Sequence, residues 1–219
     1  MGSLFNLDAP IWSFMGKVAD LVVINLLVVV CSLPIFTIGA AWTALYYVVM
    51  RMVRKEEGYI IKDFFRSFKE NFKQATVIWL IFLAIIMIIV GDVYIYVMVP
   101  GQIPGVIMTI VGILGCVVMG TLIYVFPMLA RYSNTIKNTI KNAFVLSIAN
   151  IPFTLIFIAL MISPVVLAVY VMELFPMLMV VGISLPAYLI GLMLVRIFRK
   201  LEPAQVVTES DNETEEMEL

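Results

Sequence analysis

Lys17 and Asp20 stand one helical turn apart at the edge of a long apolar run, and Asn25 follows five residues on. Ionisable groups beside an apolar span are candidates for function because they are costly there. At i, i+3 spacing the lysine and the aspartate can pair on one helix face. Contact with a partner or substrate, or proton coupling, are the other roles open to Asp20. Asn25 lies deeper, where a carboxamide more often bonds a neighbouring helix than a ligand. A second cluster follows in Glu56, Glu57, Gly58 and Tyr59, and then in Phe64, Phe65, Phe68, Lys69, Asn71, Phe72 and Lys73. Its acids can pair with the connector's own lysines in solvent, or they can receive a basic patch on another subunit. The chain has no histidine, which removes the usual general base, zinc ligand and triad partner together. Nor is there a glycine-rich loop of the phosphate-binding type. Gly112, Gly115 and Gly120 fall inside one apolar run, where small residues let helices approach closely. No catalytic site, metal site or cofactor is expected.

The elements that must position these residues are membrane spans. Hydrophobic residues make up 63% of the chain and charged residues 13%, far from the roughly 45–50% and 25% of soluble domains. A helix needs about 20 apolar residues to cross the hydrocarbon core, and the sequence offers six such stretches: about 15–33, 37–53, 75–98, 105–130, 147–171 and 175–198. Period-two alternation is missing, which argues against a β-barrel. Cys31 and Cys116 lie within the spans and read as small buried hydrophobes, not as a disulfide. Pro127, Pro152, Pro164 and Pro186 interrupt or border the last three spans, where each removes a backbone donor and predicts a kink.

Charge supplies the orientation. All 14 bases fall at Lys17, from Arg51 to Lys73, from Arg131 to Lys141, or from Arg196 to Lys200. The connections at the other ends of the spans carry none. By the positive-inside rule the protein is expected to be multi-pass, with both termini cytoplasmic. Basic clusters this short, set beside spans, suit anionic lipid and not nucleic acid. From Glu202 onward there are seven acids and no base, and residues 202–219 read as an acidic, disordered cytoplasmic tail.

Two connectors are amphipathic. At about 100° per residue, Ile61, Phe64, Phe65, Phe68 and Phe72 share one arc, with Lys62, Arg66, Lys69 and Lys73 opposite. Ile136, Ile140 and Phe144 form a similar arc flanked by Lys137 and Lys141. Both segments, about 60–73 and 135–146, are expected to lie in the plane of the inner interface. Ser67-Phe68-Lys69 aligns with Thr139-Ile140-Lys141, and Phe72 with Phe144, at one shared offset. A parallel duplication of span, interfacial helix and span fits this alignment. The bland alternative is that any cytoplasmic connector tends to become basic and amphipathic. The fold class is thus all-α: a polytopic membrane bundle of six transmembrane helices over residues 1–201 with two interfacial helices.

Several segments in order carry a family resemblance: Lys17-Val18-Ala19-Asp20-Leu21, Asn25-Leu26-Leu27, Ser32-Leu33-Pro34-Ile35-Phe36-Thr37-Ile38-Gly39, Ala44-Leu45-Tyr46-Tyr47, Glu56-Glu57-Gly58-Tyr59 and Phe64 through Gln74. Over residues 1 to about 80 the chain resembles the YesL-like family of bacterial membrane proteins, catalogued as domain of unknown function 624. The resemblance implies a setting near binding-protein-dependent sugar uptake and brings no chemistry with it. The acidic end departs from the pattern. The expectation is a non-enzymatic accessory protein that touches the lipid bilayer and docks subunits of a sugar ABC transporter through Glu56, Glu57, Tyr59, Phe64, Phe65, Phe68, Lys69, Asn71, Phe72 and Lys73. Lys17, Asp20 and Asn25 form the candidate intramembrane polar site. The alternative is a stand-alone transporter or channel for a small solute, motivated by the proline-rich later spans and Asp20. Oligomeric state is not fixed by the sequence.

Overall fold

Apolar runs with no strand-like alternation can satisfy their backbone polar groups in lipid only by coiling into helices. The computed structural model describes residues 10–56, 58–98, 104–171, 173 and 175–217, and among them there are eight α-helices and no strand. These are α1 (Pro10–Cys31), α2 (Ile38–Val53), α3 (Ile60–Met98), α4 (Gly105–Arg131), α5 (Ile136–Ala149), α6 (Ile151–Tyr170), α7 (Phe175–Val181) and α8 (Ser184–Met217). Among the described residues four stretches are long and apolar enough to cross a membrane: Ile35–Val53, Ile60–Met98, Gly105–Arg131 and Ile151–Tyr170.

α2 is the central helix and packs against α1, α3, α4 and α8. Its composition explains that place. Gly39, Ala40, Ala41, Thr43 and Ala44 are all buried, and small residues let neighbouring backbones close in on several sides. At Gly39 a Cβ would lie 2.5 Å from the Ala75 carbonyl oxygen, so the α2–α3 crossing depends on its absence. The α1–α2 connection is tight: Thr37 Oγ1 lies 2.5 Å from the Cys31 carbonyl oxygen and 2.6 Å from that of Pro34. Trp79 Nε1 of α3 donates to the Ile35 carbonyl of the same turn at 2.7 Å.

α3 departs from the sequence reading. The amphipathic segment 60–73 and the span 75–98 are one uninterrupted helix of 39 residues, about 58 Å long at 1.5 Å per residue. That is nearly twice the roughly 30 Å hydrocarbon core, so the amphipathic part is the end of a rod and not a separate helix lying flat. The reason is local: Lys73-Gln74-Ala75-Thr76-Val77 contains no proline or glycine to stop propagation. The second connector does form a helix of its own, α5. Pro152 denies the Ile148 carbonyl its usual partner and suits the first turn of the next helix, and α5 stops at Ala149. Similar amphipathic patterns thus fold two ways, the second broken at Asn150 two residues before Pro152.

The sixth expected span is also divided, into α7 and α8 with a turn at Gly182 and Ile183. Beyond Lys200 the backbone of α8 continues helically to Met217, through the acidic stretch whose composition suggests disorder. Pro127 and Pro164 sit inside continuous helices. Pro164 leaves the Leu160 carbonyl without its backbone donor, and Ser163 Oγ donates to that oxygen at 2.9 Å, so it is not freed toward a cavity. Of the four glycines in α4 only Gly120 is packed tightly, against Thr154, while nothing surrounds Gly105 or Gly112 and Gly115 meets only Ile89. Cys116 is exposed on the bundle surface, Cys31 is half-buried, and both are free thiols.

Contacts gather the four basic clusters at one end of the bundle. Lys17 and Lys55 line a common cavity, Lys73 shares a groove with Asn134 and Thr135, and the Arg131 guanidinium lies 5.5 Å from the centre of the Phe198 ring.

Candidate functional site

At this basic end the turn between α2 and α3 is organised by charge. Arg51, in the last turn of α2, donates from Nη1 to Asp63 Oδ2 at 2.6 Å and from Nε to Glu56 Oε2 at 3.1 Å. Arg54 Nε reaches Glu56 Oε1 at 2.5 Å. Two arginines and two carboxylates therefore close the turn onto the first coil of α3. Gly58 is required inside it, because a Cβ there would fall against Asp63 Oδ2 and within 3.0 Å of Arg51 Nη1. Lys55 takes a left-handed backbone, φ 57, a conformation that costs a residue with a side chain about 1–2 kcal/mol. Partial burial pushes the Glu56 carboxyl up, but hydrogen bonds and charge from Arg54 and Arg51 outweigh it and hold the group below its ordinary value.

Sequence reasoning missed Arg51, Arg54 and Asp63, and placed the partners of Glu56 among lysines. A signal was present: at helical spacing Asp63 falls one turn from Ser67, on the side of α3 next to Phe64, away from the lysine face. An acid set against an apolar face needs a partner, and the nearest basic residue before the turn is Arg51.

Beside this cluster lies a cavity of about 870 Å³ lined by Lys17, Asp20, Met52, Lys55, Glu56 and Tyr59, with apolar wall from Val23, Ile60 and Ile61. The two clusters recognised in the sequence meet here. Lys17 and Asp20 come from α1, Glu56 and Tyr59 from the α2–α3 turn. Among the described residues no ion pair joins Lys17 to Asp20, so the expected i, i+3 pairing is not formed. Lys17 and Lys55 are exposed and Asp20 is half-buried.

Asn25 belongs elsewhere. It is buried on α1, and its Oδ1 accepts from Ile183 N at 3.0 Å and Ser184 N at 3.2 Å. The first amides of a helix have no intrahelical acceptor, and the break between α7 and α8 exposes such amides inside the bundle. Asn25 caps them across the full length of the fold.

The remaining candidates divide. Phe64 is fully buried, and Phe68 and Phe72 pack against the same core, with Phe64 and Phe68 stacked at 6.3 Å between ring centroids. These phenyls face protein, not headgroups, because the buried seam of α3 runs through Asp63, Phe64, Ser67, Ala75 and Ile78 and is rotated from the arc drawn by phenylalanines alone. Asn71 donates to the Ser67 carbonyl of its own helix at 3.1 Å. Tyr59, Ile61, Phe65, Lys69 and Lys73 are exposed. Glu57 lies outside the described residues.

The matched family segment covers these features. Residues 21–93 match the family described as "Protein of unknown function, DUF624". That is the family the sequence resembles. The matched segment contains half of α1, all of α2 and most of α3, and with them the Arg51, Arg54, Glu56 and Asp63 cluster and Asn25. Lys17 and Asp20 lie just before it. No curated protein and no solved structure matches the chain. The described residues are thus helical, with several stretches long and apolar enough to cross a membrane and a segment that matches a family of unknown function.

Proposed function

We propose that the chain is a non-enzymatic accessory protein of a bacterial cytoplasmic membrane, oriented with both termini in the cytoplasm, which docks a subunit of an ABC-type carbohydrate uptake system. The observation that carries this reading is the rod-like first part of α3. It belongs to one continuous helix of about 58 Å, is clamped at its first coil by Asp63 on Arg51 at 2.6 Å, and leaves Ile61, Phe65, Lys62 and Lys69 exposed, with Tyr59 just before it. Apolar anchors ringed by bases on a rigid support suit recognition of an acidic groove on another protein. The carbohydrate setting comes from the family resemblance. Docking is carried by the exposed residues, while Phe64, Phe68 and Phe72 support the helix from beneath.

The test is photocrosslinking from Phe65 and Lys69 in membranes, followed by identification of the captured protein. Capture of an uptake-system subunit, lost on charge reversal at Lys62 and Lys69, is the expected result. Solute flux by the purified chain alone in liposomes would replace this reading with the second one, a stand-alone transporter. One observation favours that alternative: α7 and α8 form a broken helix whose inner amides are held by a single side chain, an arrangement suited to gating.

A further inference from the structure

The cavity between α1 and the α2–α3 turn has a charge balance that selects a ligand class. Four ionised groups line it. Glu56 is already neutralised by Arg51 and Arg54. Lys17, Lys55 and Asp20 have no ion pair among the described residues, which leaves two cations and one anion committed to nothing. A pure anion would satisfy the lysines and be repelled by Asp20. A pure cation would do the reverse. A headgroup with one phosphate and one ammonium satisfies all three, and the lysines reach it from separate segments, one on α1 and one in the turn.

The walls decide between a soluble and a lipid source of that chemistry. Val23, Met52, Ile60 and Ile61 give the cavity an apolar side, and it opens where the apolar stretch Ile35–Val53 ends. At about 870 Å³ it is much larger than a phosphate group needs, and with Lys17, Lys55, Tyr59 and Ile61 exposed along it, it is an open groove. We propose that this cavity binds the headgroup of an amino-phospholipid, the phosphate between Lys17 and Lys55 and the ammonium against Asp20, with the upper acyl segment along Val23 and Ile60. Tyr59 and Ile61 are shared with the docking reading, whereas Lys17, Asp20 and Lys55 are not, so variants at these three test the lipid site separately.

Native mass spectrometry of the purified full chain in detergent tests it, with phosphatidylethanolamine, phosphatidylglycerol and the soluble headgroup glycerophosphoethanolamine as probes. Phosphatidylethanolamine adducts should persist where phosphatidylglycerol is stripped. Lys17→Ala combined with Lys55→Ala should weaken retention by about a hundredfold, roughly tenfold for each charge-assisted contact removed. Asp20→Asn should invert the preference toward phosphatidylglycerol, a change of ratio that loss of stability cannot imitate. The lysine pair lies at exposed positions and reads the phosphate half separately should Asp20→Asn not accumulate. Equal retention of both lipids in the parent chain, unchanged in the variants, would overturn the site. Displacement of the lipid by glycerophosphoethanolamine at equal concentration would overturn its assignment to a membrane lipid.

Discussion

Arg51 of α2 and Asp63 of α3 meet at 2.6 Å, with side-chain exposures of 20% and 13%. This pair ties the end of the central helix to the start of the longest one. An exposed pair would contribute about 0–1 kcal/mol, and breaking a fully buried one would cost about 3–5 kcal/mol. Intermediate exposure, and the second carboxylate that Arg51 retains in Glu56, place Asp63→Ala at about 1–3 kcal/mol of destabilisation. Thermal unfolding in detergent of Arg51→Met, Asp63→Ala and the double variant measures the coupling. Additive effects in that cycle would show that the two side chains do not clamp the turn.

Acid should release part of the same cluster. The folded-state pKa of Glu56 is depressed by Arg54 and Arg51 against the opposing effect of burial. A depressed carboxylate contributes stability that is present above its unfolded pKa, about 4.3, and is lost as pH falls through the lower folded value. The parent chain and Glu56→Gln should therefore differ by a constant amount near neutrality and converge below about pH 4. Glu56 is partly exposed, so the difference should shrink in high salt. Melting temperatures across pH at two ionic strengths check both statements.

Continuity of α3 has a direct measure. Ile61 and Ile95 are both exposed and stand 34 residues apart on one helix, which predicts about 51 Å between their Cα atoms at 1.5 Å per residue. Spin labels at the two positions should give one narrow distance distribution near that value. A helix that lay flat to residue 73 and then turned into the bilayer would give a markedly shorter distance, and the single-rod description would fail.

How much of this was visible in the residues varies with the physics involved. Helical class and the approximate positions of the apolar stretches follow from run length and hydropathy, which need no tertiary information. Clustering of the bases at one end follows from charge alone. The fusion of 60–73 with the following span was legible too, in the lack of any breaker between Lys73 and Val77, but the amphipathic signal obscured it. The division of the sixth span was not: Gly182 in an apolar run is as compatible with packing as with a turn. What stabilises that turn is Asn25, more than 150 residues away in sequence, and no local pattern encodes such a pairing. The charged turn falls between these cases. Its acids were recognised, but which bases close on them depends on the path between Arg54 and Ile60, where Lys55 adopts φ 57.

Asn25 offers the sharpest separation between a structural and a solute-handling role. Its Oδ1 satisfies two amides, Ile183 N at 3.0 Å and Ser184 N at 3.2 Å, which otherwise lack an acceptor from the preceding turn. Single polar contacts between membrane helices average about 0.6 kcal/mol and reach about 1.7 kcal/mol. Loss of both bonds in a buried setting places Asn25→Leu toward the upper end, at about 1–2 kcal/mol. Asn25→Asp keeps an acceptor and should retain more of the stability than leucine at a pH where it is ionised, since an anion suits a helix N-terminus. Hydrogen exchange resolves the location of the effect: in Asn25→Leu the amides of Ile183 and Ser184 should lose protection before those of α2. If protection falls uniformly instead, Asn25 supports the bundle as a whole and the α7–α8 break is not its specific charge.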